Sequence, residues 1–265
     1  MESEIETEID SGTRTRAARR PAASLAHALR AYPRRNPVTF VYLMLVCAGL
    51  VFLGRLLPGT TADQLKIAIS TNPHNMAHDP LTVLLASPLF AATDSGWFSH
   101  VLVIAGGVGV CMAGLERRVG ALPTVGVFLL ANTIATAVAT GVAAAAIHSG
   151  RYPARWWDGY DYGISYGVLA MAAAVTPLVP RAGRVVWVVL VFAYPFASAE
   201  WFGLVPNFAT IGHVTAAGVG LVAGAVLDRR STIRHARHRS AAQASTAPAT
   251  SAGRPDTTAQ RDRRR

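Results

Sequence analysis

Residues 209–227 have the sequence ATIGHVTAAGVGLVAGAVL. These 19 residues are apolar or small apart from two threonines and one histidine, and a helix needs about 20 such residues to cross the hydrocarbon core of a bilayer. An ionisable side chain inside such a helix is costly, so it marks a functional site by default. The stretch therefore predicts a membrane-spanning helix that carries one functional residue, His213.

Other apolar runs of similar length precede this one, at 38–57, 98–115, 120–147, 163–180 and 184–200. The chain of 265 residues is 51% hydrophobic and 15% charged, with a mean hydropathy of +0.31. That composition is too apolar for an ordinary soluble domain. We predict an all-α, polytopic membrane protein whose residues 36–228 form a bundle of six transmembrane helices.

The two ends of the chain have a different composition. Residues 1–35 and 229–265 are rich in Arg, Ala, Ser, Thr and Pro and show no apolar periodicity. Segments of this kind bury too little apolar surface to offset the entropy of the chain. We therefore predict two disordered tails on either side of the membrane domain.

Basic residues are distributed unevenly about the six predicted spans. Of the 25 Lys and Arg residues, 21 lie in the tails and loops on one side of the membrane, and the other four are Arg55, Lys66, Arg151 and Arg155. The positive-inside rule then predicts a cell-membrane protein with both termini in the cytoplasm. We expect membrane lipid to bind these positively charged residues. Nucleic-acid binding by the basic tail is the alternative, and we do not expect it.

Three polar residues lie at a similar depth in this topology. His100, Ser165 and His213 each fall about 5 to 8 Å from the outer end of spans two, four and six, which run in the same direction. Ser165 lies within Gly163-x-x-x-Gly167, a spacing that is also typical of structural helix packing. The matched depth predicts one site between three helices.

A serine and two histidines in one site are typical of an enzyme that catalyses hydrolysis. A serine hydroxyl is a weak nucleophile until a neighbouring base takes its proton, and a neutral imidazole can act as that base. Ser165 is the predicted nucleophile and His213 the predicted base, while His100 is expected to stabilise the developing oxyanion. Asp161, two residues before Gly163, is expected to cap the fourth helix.

The motifs around these residues resemble the rhomboid family of intramembrane serine proteases, specifically its divergent bacterial rhomboid-like members. Rhomboids carry Gly-x-Ser-Gly on helix four, and Gly163-Ile164-Ser165 matches all but the last position. On helix six they carry a His followed three and seven residues later by small residues, which here are Ala216 and Gly220 after His213. The resemblance implies a six-helix fold and extends over about residues 36–228.

Helix two is also similar to the family, although three features depart from its pattern. The helix begins with Phe98-Ser99-His100 and ends with Leu115-Glu116-Arg117-Arg118-Val119-Gly120. Rhomboids commonly have an Asn four residues after this His, where the chain has Ile104, and a Gly after the nucleophile, where it has Tyr166. The first outer loop also lacks their Trp-Arg pair. We expect Tyr166 to hinder close packing or to occupy the substrate cleft.

The resemblance implies a protease that uses a Ser165–His213 dyad to hydrolyse a transmembrane protein near the outer membrane face. It implies no cofactor and no metal. His74 and His78 stand four residues apart, but the Glu that a metalloprotease helix requires is missing. One alternative is a catalytically inactive rhomboid-like protein that binds transmembrane segments as clients. A small-molecule transporter is the other, and it would need polar residues at the bilayer midplane.

Overall fold

A computed structural model describes residues 26–93, 96–197 and 199–246. Helices dominate these residues, as predicted for an all-α membrane protein. We label them α1 (26–35), α2 (Pro37–Leu56), α3 (Gly59–Ile69), α4 (Pro73–His78), α5 (Pro80–Leu89), α6 (Trp97–Val119), α7 (Ala121–His148), α8 (Ser165–Leu178), α9 (Arg181–Ala193) and α10 (Phe208–Thr246).

A short antiparallel hairpin stands between α9 and α10. It pairs β1 (Trp201–Phe202) with β2 (Val205–Pro206), so that Trp201 lies opposite Pro206. The Tyr152 hydroxyl donates a hydrogen bond to the Pro206 carbonyl, which ties the hairpin to the loop after α7.

Four described helices are long and apolar enough to cross a membrane. They are α2, α6, α7 and the part of α10 over Phe208–Arg230. The predicted fourth and fifth spans correspond to α8 and α9, which are shorter. A helix over Ser165–Leu178 is about 21 Å long at 1.5 Å per residue, whereas the hydrocarbon core is about 30 Å thick. The predicted count of six spans therefore stays a prediction.

The segments predicted to be disordered contain helix where the structure describes them. Residues 26–35 form α1, and α10 continues beyond the apolar segment to Thr246. Ala, Arg and Gln favour helix, and the extension of an existing helix needs no new nucleus. Residues 1–25 and 247–265 lie outside the described part. The described residues up to Asp228 form one compact unit, and those from Arg229 form another.

Helix α8 lies at the centre of the first unit. Nearly all of its residues from Tyr166 to Ala174 are buried, and it packs against α6, α7 and α10. Small residues allow this close approach: a Cβ at Gly107 of α6 would lie 2.0 Å from Val168, and one at Gly220 of α10 would lie 2.2 Å from the Ala170 carbonyl. Such contacts bring the first turn of α8 beside α6 and α10.

Candidate functional site

A cavity of about 240 Å³ opens at the end of the bundle where α8 begins. Its walls come from the segment after α5, from α6, from the turns before α8 and after α9, and from the start of α10 with the residue before it. The cavity brings together three residues that the sequence predicted as one site. Its lining includes Ser99, His100, Ile104, Gly163, Ser165, Tyr194, Asn207, Thr210 and His213.

Ser165 is the first residue of α8. Gly163 has φ of +134°, a conformation that residues with a Cβ rarely adopt, and its N–H donates to the Ser87 hydroxyl over 3.2 Å. This turn ends the loop, so α8 begins at Ser165 and not at residue 163 as predicted. Within the described residues no side chain caps α8. Its first backbone N–H groups therefore keep their hydrogen-bonding capacity.

His213 has a defined hydrogen-bonding partner. Its Nδ1 lies 2.7 Å from the Ala209 carbonyl oxygen. A carbonyl only accepts, so Nδ1 carries the proton and, in the neutral ring, Nε2 carries the lone pair. This tautomer is the one that a general base needs. Within the described part of the chain, no hydrogen bond joins the ring to the Ser165 hydroxyl.

His100 has the same tautomer for the same reason. Its Nδ1 lies 3.1 Å from the Gly96 carbonyl, and its buried Nε2 has no partner among the described residues. A neutral Nε2 is an acceptor, so His100 donates to an oxyanion through that atom only as the imidazolium. Ile104 also lines the cavity and offers no donor.

Asn207 lines the cavity but was not predicted as a site residue. Its side-chain oxygen accepts from the Thr210 N–H over 3.0 Å and from the Thr210 hydroxyl over 2.6 Å. These two bonds orient the amide and leave its NH₂ group without a partner among the described residues. The sequence signal, Asn-x-x-Thr before an apolar run, indicates only a helix cap.

Tyr166 is not among the residues that line the cavity, and it packs behind His213. The side chain is 3% exposed and lies with its ring centroid 4.7 Å from that of His213, edge to face. Its hydroxyl donates to Oδ2 of Asp161 over 2.8 Å. Gly212 leaves room for the ring, since a Cβ there would come within 2.6 Å of it.

Asp161 does not cap α8 as predicted, because its carboxylate binds elsewhere. Oδ2 accepts hydrogen bonds from the hydroxyls of Tyr166 and Thr71, the latter over 2.9 Å. Burial raises the pKa of the Asp161 carboxyl to about 6, although these two hydrogen bonds act in the opposite direction. The backbone carbonyl of Asp161 also accepts from the Thr71 N–H over 2.6 Å.

The small residues after His213 contact α8. Ala216 is fully buried, and Gly220 packs directly on the Ala170 backbone. Their spacing therefore places one side of α10 along α8, with His213 toward the end that carries Ser165. Gly167 is likewise a packing residue, because a Cβ there would lie 2.2 Å from the Phe128 ring.

The histidine pair outside the cavity is a surface feature. The rings of His74 and His78 stack with centroids 4.5 Å apart, and Nδ1 of His74 lies 3.3 Å from Oδ1 of Asp158. Within the part of the chain that the structure describes, no group of three His, Cys, Asp or Glu side chains is arranged to hold a metal ion.

The fold and the cavity define an all-α membrane protein with a serine and a histidine on one cavity. A family model described as "Rhomboid-like protein" matches residues 31–232, which is most of the chain. The chain therefore belongs to the rhomboid-like family. No curated protein and no solved structure matches it significantly.

Proposed function

We propose that this rhomboid-like protein is an intramembrane serine protease with six transmembrane spans and both termini in the cytoplasm. The observation that carries the proposal is the shared cavity, with Ser165 at an uncapped helix start and His213 in the tautomer that presents a basic Nε2. The substrate is a transmembrane protein whose helix is weak near the outer face, because a peptide carbonyl must leave its helical hydrogen bond before attack.

The reaction begins when the Ser165 hydroxyl oxygen adds to the scissile carbonyl carbon and its proton passes to Nε2 of His213. The carbonyl electron pair moves onto oxygen. The C–N bond then breaks, and the leaving amine takes the proton from His213. Water adds to the acyl-serine in the same way, again with His213 as base, and releases the carboxylic acid and the free Ser165 hydroxyl.

The oxyanion receives hydrogen bonds from the Ser165 backbone N–H and from the Asn207 side-chain NH₂. Asn207 supplies the amide donor that Ile104 lacks, because its oxygen is already occupied by Thr210 and its nitrogen is available. The uncapped start of α8 adds the partial positive charge of a helix N-terminus.

The test is cleavage of a single-span model substrate by the purified full chain in liposomes. We expect Ser165→Ala and His213→Ala each to abolish cleavage, and the double variant to lose little more, because the two residues act as one unit. A fluorophosphonate probe should label the wild type and not Ser165→Ala. A wild type that neither cleaves nor reacts with the probe would contradict the proposal.

A second candidate function is the binding of transmembrane clients without hydrolysis. It is favoured by the absence, within the described residues, of a hydrogen bond between Ser165 and His213. In this case a photo-crosslinker placed at Ile104 would capture a transmembrane segment that remains intact, and Ser165→Ala would capture it equally well.

A further inference from the structure

We propose that Tyr166, anchored by Asp161 and Thr71, is a positioning residue that holds the His213 ring in its catalytic orientation. The inference rests on the proposed protease function and assigns a role to the residue that replaces the usual glycine after the nucleophile. Tyr166 itself contacts no substrate in this role, because it lies outside the cavity lining.

The hydroxyl end of Tyr166 is held by Asp161, which is held in turn by Thr71 of a distant segment. Oη donates to Asp161 over 2.8 Å, and the same carboxylate oxygen accepts from the Thr71 hydroxyl. The Thr71 N–H also donates to the backbone carbonyl of Asp161, so the loop after α3 holds both the backbone and the side chain of Asp161. A buried ring with a fixed hydroxyl has little freedom to rotate.

The ring end of Tyr166 lies against the base. The ring centroids of Tyr166 and His213 are 4.7 Å apart with an interplanar angle of 70°, the favourable edge-to-face arrangement of aromatic rings. A Cβ at position 212 would overlap the Tyr166 ring, so the glycine there allows the contact. Tyr166 thus restrains His213 on one side while the Ala209 carbonyl holds Nδ1.

His213 has no carboxylate partner among the described residues that would orient it directly, as the acid of a serine protease triad does. Asp161 contacts His213 only indirectly. Its carboxylate accepts a hydrogen bond from the Tyr166 hydroxyl, and the Tyr166 ring packs against the imidazole. Asp161 and Tyr166 together therefore orient the histidine, as the acid of a triad does, but no charged group contacts His213.

The test compares point variants of the full chain in liposomes. Tyr166→Phe keeps the ring but releases it from Asp161, and Asp161→Ala releases the same anchor from the other side. Asp161→Asn keeps an oxygen that accepts from Tyr166. Tyr42→Phe is the matched control, because Tyr42 also donates one hydrogen bond, to the Pro88 carbonyl, and lies outside the cavity lining.

The informative measurements are the rate constant of fluorophosphonate labelling, the final labelled fraction, and kcat and KM for the model substrate. We expect Tyr166→Phe and Asp161→Ala to lower the labelling rate constant and kcat roughly 10- to 100-fold, with KM and the labelled fraction unchanged. Asp161→Asn should recover most of the rate, and Tyr42→Phe should match the wild type.

Two outcomes would overturn this inference but leave the proposed protease function standing. One is a Tyr166→Phe variant that the probe labels at the wild-type rate. The other is a lower labelled fraction with an unchanged rate constant, which a merely structural role would produce. A wild type that the probe does not label would instead remove the proposed protease function, and this inference with it.

Discussion

Oε2 of Glu116, near the end of α6, lies 2.9 Å from the backbone nitrogen of Thr39 in the first turn of α2. Oε1 of the same carboxylate accepts from the Val38 N–H over 3.1 Å. The side chain of Asn36, which precedes α2, does not cap that helix, so Glu116 of another helix satisfies its first N–H groups. These two bonds explain how Glu116 can be only 5% exposed within the bundle.

Glu116→Ala should destabilise the fold strongly. It removes two hydrogen bonds to a carboxylate and leaves the N–H groups of Val38 and Thr39 unpaired, the second of them buried, a loss of about 2 to 4 kcal/mol. Thermal unfolding in detergent measures the change, with Glu200→Ala as the control because Glu200 is exposed. A Glu116→Ala protein as stable as the control would mean that the contact contributes nothing.

Gly220→Ala should separate α10 from α8. The new methyl group would lie 2.2 Å from the Ala170 carbonyl oxygen, which is backbone and cannot move aside cheaply. We expect lower thermal stability together with lower proteolytic activity, because His213 moves with α10. Gly218→Ala is the control on the same helix, since no atom lies within 4 Å of its added methyl group. Equal behaviour of the two variants would exclude the close helix contact.

Asn207→Asp should separate capping from catalysis. The carboxylate keeps an oxygen for Thr210 and therefore the cap of α10, but it offers no N–H to the oxyanion. We expect kcat to fall on the order of 100-fold with little change in thermal stability, as for the loss of one oxyanion donor.

Ile104→Asn should act in the opposite direction, because it adds an amide to the cavity wall. We expect faster cleavage in the wild-type background and partial recovery in Asn207→Asp. Unchanged kcat in both Asn207→Asp and Ile104→Asn would show that neither position supports the oxyanion.

The Asp161 carboxyl should make stability depend on pH. Burial raises its pKa to about 6 in the folded protein from an ordinary value of 3.8, so the folded state holds this proton more tightly than the unfolded state does. The stability that comes from the protonated form is present below pH 4 and is lost as the pH rises to about 6. Relative to Asp161→Asn, the wild type should therefore lose stability between pH 4 and pH 7 in denaturant titrations. A constant difference between the two proteins would contradict the raised pKa.

The proposed topology has its own test. Reporter fusions at residues 30 and 235 should both report the cytoplasm, because an even number of spans returns the chain to the side on which it began. A cytoplasmic signal from only one of them would indicate an odd number of spans. It would also remove the argument that His100, Ser165 and His213 share one depth.

The long helices could be predicted closely because the bilayer sets their length. The apolar runs at 38–57 and 120–147 correspond to α2 and α7, each within one residue at both ends. The ends of α8 were less predictable. Its start depends on the turn at Gly163 and on a hydrogen bond to Ser87, a residue 76 positions away along the chain.

By itself, the sequence determined the membrane class and pointed to Ser165 and His213, because apolar run length and polar residues within such runs are local properties. Only the tertiary structure decided the position of Tyr166 and the partner of Asp161. Tyr166 lies beside Gly212 and His213 of another helix, and Asp161 binds Thr71, which is 90 residues distant in the chain. Contacts of this kind arise when helices pack and loops meet, and no periodicity in a single segment encodes them.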